Sequence, residues 1–107
     1  MVYPVRDLAQ ARGFFQELLG LAPHTDQPYY VGFTVHGQEV GLDPNGHRKG
    51  MTGPVGYWHV DDLRARVKLL LDAGAEQVQD VTDVGGGKLI ATVRDVDGNV
   101  IGLLQPA

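Results

Sequence analysis

The chain is 107 residues long, 43% hydrophobic and 21% charged, which is enough for one core and too little for two independent domains. Nine Lys and Arg stand against thirteen Asp and Glu, a formal net charge of -4, so there is no basic surplus for a phosphate backbone and no nucleic-acid partner is expected. The absence of Cys excludes disulfides, thiolate nucleophiles and Cys-ligated zinc. The apolar runs are too short to span a bilayer, so no membrane partner is expected either. Met1 to Val5 leads at once into Arg6 and Asp7 rather than into an apolar leader; no signal peptide is read, and a cytoplasmic location is the default expectation.

A short strand is predicted at Val2 to Val5. Asp7 to Gly20 then reads as an amphipathic helix, with Leu8, Ala11, Phe15 and Leu18 on one face and Phe14 and Leu19 widening the stripe. Asp7 serves as N-cap with Gln10 closing a capping box, Gly20 ends the helix, and Gly13 is its weak point. The period then changes to two. Strands are predicted at Tyr29 to Val35 and Glu39 to Leu42, joined by a turn at His36, Gly37 and Gln38. The polar, Gly-rich stretch from Pro44 to Pro54 reads as a linker. After it come a strand at Val55 to Val60 and a second helix from Asp62 to Gly74, with the stripe Leu63, Val67, Leu70 and Leu71. Strands at Lys88 to Arg94 and Val100 to Leu104 flank a turn at Asp95 to Asn99.

The halves repeat. Tyr3-Pro4-Val5-Arg6-Asp7-Leu8 matches Trp58-His59-Val60-Asp61-Asp62-Leu63, and Gly37-Gln38-Glu39-Val40-Gly41-Leu42 matches Gly98-Asn99-Val100-Ile101-Gly102-Leu103. Either half alone leaves a sheet face uncovered, so the two are expected to pack as one domain over residues 1–107. Its parts are a first module of about 1–45, a linker of about 46–53 and a second module of about 54–107. The fold class is α+β.

The VRDL helix with its LG stop, the VDDL helix with its AGA stop and the run RDVDGNVIGLLQP together resemble the vicinal oxygen chelate superfamily of glyoxalases, bleomycin-resistance proteins and extradiol dioxygenases. The resemblance covers nearly the whole chain. It implies two βαβββ modules forming a cupped mixed sheet around a ligand cavity, helices outside, and a homodimer with pockets near or across the subunit contact. Metal-dependent members carry a His in the first strand of each half and a Glu in the last. Counted back from Asp62, the second-half His position falls on Val55, and the first-half position precedes Met1. The Glu positions fall on Gly41 and Gly102. None of these residues supplies a donor, so no metal and no cofactor are expected at the usual place. The shortened first strand is either truncated or preceded by further residues upstream.

With Val55 toward the cavity, alternation puts Tyr57 and His59 on the same side and Gly56, Trp58 and Val60 toward the helices. His59 is a candidate base, donor or lone ligand, set against a histidine bonded to a neighbour at the sheet edge. Tyr57 stacks on a planar ligand or simply packs. Trp58 matches Tyr3 and is expected to pack against the helices. Glu39 and Asp43 share the parity of Gly41 and offer carboxylates to a cationic or hydroxylated ligand, or stand exposed at the strand ends. Gly41 and Gly102 leave room for a bulky guest or mark bulges. Gly85-Gly86-Gly87-Lys88 lacks the spacing of a phosphate loop and reads as a flexible loop, and Asp95 to Asn99 reads as a hairpin turn rather than a calcium loop. His24, His36 and His47 share no chelating spacing.

The leading expectation is a metal-free, bleomycin-resistance-like protein that sequesters a small molecule with Tyr57, His59, Val55, Gly41 and Gly102, with Glu39 and Asp43 near the mouth. The alternatives are a lyase, isomerase or dioxygenase with a displaced metal site built from His59, Glu39, Asp43 or a partner residue, and an interaction module whose own side chains fill the cavity.

Overall fold

A computed structural model describes all 107 residues. The chain divides into two compact units, Met1–Pro54 and Val55–Ala107. The first contains β1 (Val2–Pro4), α1 (Leu8–Leu19), β2 (Thr25–Gln27), β3 (Tyr30–Val35) and β4 (Gln38–Asp43). The second contains β5 (Tyr57–His59), α2 (Leu63–Asp72), β6 (Glu76–Asp83), β7 (Leu89–Arg94) and β8 (Val100–Gln105). The sheet orders are β1-β4-β3-β2 and β5-β8-β7-β6, each with one parallel pair at the edge next to the helix crossover and antiparallel pairs elsewhere. Each unit is therefore a βαβββ module, and the α+β class holds.

Two strands have no counterpart in the sequence reading. β2 is three polar residues, and β6 is an edge strand whose alternation is broken by register shifts around Gln79. Neither buries a continuous apolar side, so neither carries the period-two signal of a half-buried strand. The hairpin between β3 and β4 does carry it. Val35 pairs with Gln38 across His36 and Gly37, both at positive φ (49° and 79°), the combination a two-residue type I′ turn requires.

Both helices begin where an Asp caps them. Asp7 accepts from the Gln10 N–H at 3.0 Å and Asp62 from the Ala65 N–H at 3.2 Å; of the expected capping box at Asp7, only this arm forms. Gly20 ends α1 at φ 72°. The core of the first module joins the fully buried Val31, Phe33 and Leu42 to Leu8, Ala11, Phe15 and Leu19 of α1. The expected stripe is corrected at two positions: Leu19 packs, whereas Leu18 and Phe14 are 64% and 65% exposed. The steps from Leu8 to Ala11, Phe15 and Leu19 are three, four and four residues, which keeps the packed row on one face along the helix. In the second module Leu63 and Val67 meet Ala91 and Leu103, with Leu70 against them, while Leu71 turns outward.

Trp58 is a further correction. Its counterpart Tyr3 packs on Phe15 with ring centroids 5.0 Å apart, but Trp58 is 69% exposed. Counted from the capping Asp, α2 has Arg66 and Leu70 where α1 has Ala11 and Phe15, so the aromatic shelf that holds Tyr3 is missing.

The stretch expected as a linker belongs structurally to the first module. It forms a 3-10 turn at His47–Lys49, Met51 is buried, and Gly46 lies so close to Pro4 that a Cβ there would sit 2.7 Å from the Pro4 Cβ. Gly85, Gly86 and Gly87, all at positive φ, form the turn from β6 to β7, with the Gly85 N–H donating to Asp83 Oδ1. Asp95 closes the last turn by accepting from the Asn99 side chain and the N–H groups of Asn99 and Asp97. These bonds, that of the Asn99 side chain first, hold its carboxyl below the ordinary value of 3.8.

Two outcomes follow for α1. Leu19→Ala is expected to cost about 2 kcal/mol or more and Leu18→Ala less than about 0.5 kcal/mol in urea denaturation, because only the former opens a cavity; similar losses would refute the assigned helix face. A Cβ at Gly13 meets nothing within 4 Å, so Gly13→Ala is expected to stabilise by about 0.5–1 kcal/mol in the same assay.

Candidate functional site

Alternation gives each sheet two unlike faces. In the first module Val31, Phe33 and Leu42 point into the core against α1, so Tyr30, Gly32, Thr34, Glu39, Gly41 and Asp43 lie on the opposite face. In the second, Ala91 and Leu103 point toward α2, and Tyr57, His59, Thr92 and Gly102 lie on the opposite face through the pairings Tyr57 with Gly102 and Thr92 with Gly102.

The first module's open face is organised around Glu39. Its Oε1 accepts from His24 Nε2 at 2.8 Å and from the Thr34 hydroxyl at 3.2 Å, and its Oε2 accepts from the Tyr30 hydroxyl at 2.8 Å. The other His24 nitrogen, Nδ1, lies 2.8 Å from Thr25 Oγ1. The side chains of His24 and Glu39 remain 43% and 45% exposed, so this is a carboxylate positioned by three donors yet open to solvent. The Thr34–Glu39 pairing is fixed by the hairpin register, and β2, beginning at Thr25, brings His24 to the adjacent edge.

Asp43 behaves differently. It is 7% exposed and accepts from Lys49 Nζ at 2.8 Å and from the Asn45 N–H at 2.8 Å. Both bonds hold the loop after β4, so Asp43 neither stands exposed at the strand end nor keeps its oxygens open at a mouth. The carboxylate is compensated as burial requires.

The room expected at the two glycines is taken. A Cβ at Gly41 would collide with the Tyr30 ring, whose Cε1 and Cζ would lie 2.7 Å away, and a Cβ at Gly102 would lie 2.6 Å from Cγ and Cδ2 of Tyr57. A tyrosine from a neighbouring strand thus lies across the repeated glycine in each module. Glycine is needed because the ring occupies the place of a side chain, a closer cause than a bulge.

His59 stands exposed on the edge strand β5 with no side-chain hydrogen bond or ion pair, so the expected bond to a neighbour is not made. Val55 is 1% exposed, the burial of a packing residue. No three His, Asp or Glu side chains lie close enough together to share a metal ion, and Val55, Gly41 and Gly102 carry no donor side chain. The residues present do not fit the metal of the metal-dependent relatives. His24, Tyr30 and Thr34 were not singled out by sequence. Register across a two-residue hairpin places Thr34 and Tyr30 on the Glu39 side, whereas the approach of His24 depends on the unforeseen β2.

Two open depressions lie elsewhere in the first module. One of about 450 Å³ lies between Leu8 and Arg12 of α1 and Asp26 and Pro28, with Arg12 3.6 Å from Asp26, and another of about 390 Å³ lies beside Phe14 and Gln10. None of the residues expected at a site lines either.

A family model described as the Glyoxalase/Bleomycin resistance protein/Dioxygenase superfamily matches residues 1–103. The chain belongs to this superfamily. No curated protein matches its sequence. Among solved structures, a glyoxalase superfamily member from Vibrio splendidus 12B01 is 17% identical with a TM-score of 0.74, covering 98% of this chain and 95% of its own. A Legionella pneumophila structure described as an NAD-dependent benzaldehyde dehydrogenase is 16% identical with a TM-score of 0.77 over 99% and 96%. A hypothetical protein from Bacillus halodurans C-125 is 11% identical with a TM-score of 0.74 over 99% and 91%. At these identities the likeness is one of fold, and it carries no neighbour's chemistry over to this superfamily member.

The tyrosine-over-glycine arrangement makes Gly41→Ala a sharp probe. The methyl group displaces Tyr30 and breaks its bond to Glu39, so a loss of about 1–3 kcal/mol in denaturation is expected, together with a shifted Tyr30 ring resonance. An unchanged ring resonance would refute the contact.

Proposed function

We propose that this superfamily member binds a small molecule on the sheet faces opposite its helices, without a resident metal, and acts as a cytoplasmic homodimer in drug or metabolite sequestration. The observation that carries the reading is the half-exposed Glu39 carboxylate, oriented by His24, Tyr30 and Thr34 on a face that the module does not use for its core. A polar set positioned in this way, beside an aromatic ring, is the kind of feature that gives a ligand site its orientation and specificity. In the second module, Tyr57, His59 and Gly102 share the corresponding face, and membership of a superfamily that includes bleomycin-resistance proteins agrees with a binding role.

A specific observation favours one rival. Tyr30 and Tyr57 occupy the space over Gly41 and Gly102, as expected of an interaction module filled by its own side chains. A thermal-shift and equilibrium-dialysis screen of a chemically diverse library against tag-free protein, with elemental analysis of the same preparation, decides. Saturable binding by metal-free protein, with the compound recovered unchanged, is the expected outcome. Stoichiometric retained metal, or no binding by a folded protein, would overturn the proposal.

A further inference from the structure

The Glu39 cluster specifies the kind of ligand and a control on its binding; this inference rests on the small-molecule reading above and adds the chemistry of the guest. A carboxylate accepts about four hydrogen bonds, and Glu39 has three: His24 and Thr34 on Oε1, Tyr30 on Oε2. The fourth position is open to solvent. The donors of the set are spent on Glu39, and the Thr34 hydroxyl, having given its proton to the carboxylate, keeps only acceptor lone pairs. The Tyr30 ring lies across Gly32 and Gly41 beside the carboxylate. Acceptors, a negative charge and a ring together recognise a planar cation bearing N–H groups, such as an amidinium or guanidinium.

His24 sets the charge of this cluster. In its neutral form Nε2–H donates to Glu39 and Nδ1 accepts from the Thr25 hydroxyl, leaving one net negative charge. When protonated, both nitrogens donate, the Thr25 hydroxyl turns to accept, and the net charge is zero. The other charged groups near this cluster are engaged: Asp26 is paired with Arg12, Asp43 with Lys49, and the Met1 amino group donates to the Glu39 main-chain carbonyl. We infer that His24, Glu39 and Tyr30 form a site for a planar cationic ligand, and that a proton on His24 competes with that ligand for the Glu39 charge. The competition is reciprocal, since ligand binding disfavours His24 protonation by the same factor that protonation weakens the ligand.

Three near-isosteres test this: benzamidine, benzamide and benzoate, titrated by NMR into the full chain. Benzamidine is expected to shift the Thr34 and Glu39 amides and to bind at least about tenfold more tightly than benzamide, with benzoate inert. Its affinity is expected to be at least about fivefold lower at about pH 5.5 than at about pH 8, as protons compete with the ligand for Glu39 through His24. In His24→Gln the ratio of affinities at the two pH values is expected to approach one, and Glu39→Gln is expected to bring benzamidine down to the benzamide level. Equal binding of all three compounds, or a pH dependence that survives in His24→Gln, would overturn this inference. If benzamidine fails while library compounds bind elsewhere on the sheet face, the inference alone falls; if nothing binds to folded protein, the small-molecule reading falls with it.

Discussion

The two-residue turn at His36 and Gly37 decides which side of the first module is core and which is chemistry. By pairing Val35 with Gln38 it also pairs Phe33 with Val40, Val31 with Leu42, Thr34 with Glu39 and Gly32 with Gly41. A slip of β4 by one residue would place the Glu39 carboxylate under α1 and turn Val40 and Leu42 to the opposite face. The penalty for burying Glu39 unpaired, added to the loss of the fully buried Leu42, worth about 1.5–3 kcal/mol, favours the observed register. The cluster around Glu39 is thus a consequence of how the hydrophobic core is satisfied.

Much of this was legible in the chain because it follows from local rules. The Asp7 and Asp62 caps, the Gly20 stop and the alternation in β3, β4, β7 and β8 all state their structural reason within a few residues. What escaped was nonlocal. β2 and β6 sit at sheet edges with polar residues and interrupted alternation, so nothing in their composition announces a strand. The sequence around His24 therefore gives no sign of a partner, and only the pairing of Thr25 with Gly32 brings it beside Glu39. Asp43 carried no sign of its Lys49 partner, because that bond depends on the turn at His47–Lys49 folding back on the module.

The repeat also misled where it was most regular. Tyr3 and Trp58 occupy equivalent positions, yet one packs and the other faces solvent, because the neighbouring helices differ at Ala11 and Phe15 against Arg66 and Leu70. The glycines repeat the other way round: Gly41 and Gly102 are both covered by a tyrosine, but Tyr30 comes from β3 and Tyr57 from β5, the strands on opposite sides of the last strand in each module. Equivalent backbones thus place similar rings from different strands, a solution that pairwise matching of the halves does not reveal.

The central claim, that ligand chemistry resides on the sheet faces and not beside the helices, is tested most directly by mapping amide shifts when the first compound found to bind is titrated into the labelled protein. The account predicts shifts centred on Thr25, Tyr30, Thr34 and Glu39. Shifts centred on Arg12, Asp26 and Phe14, with the Glu39 cluster silent, would contradict it.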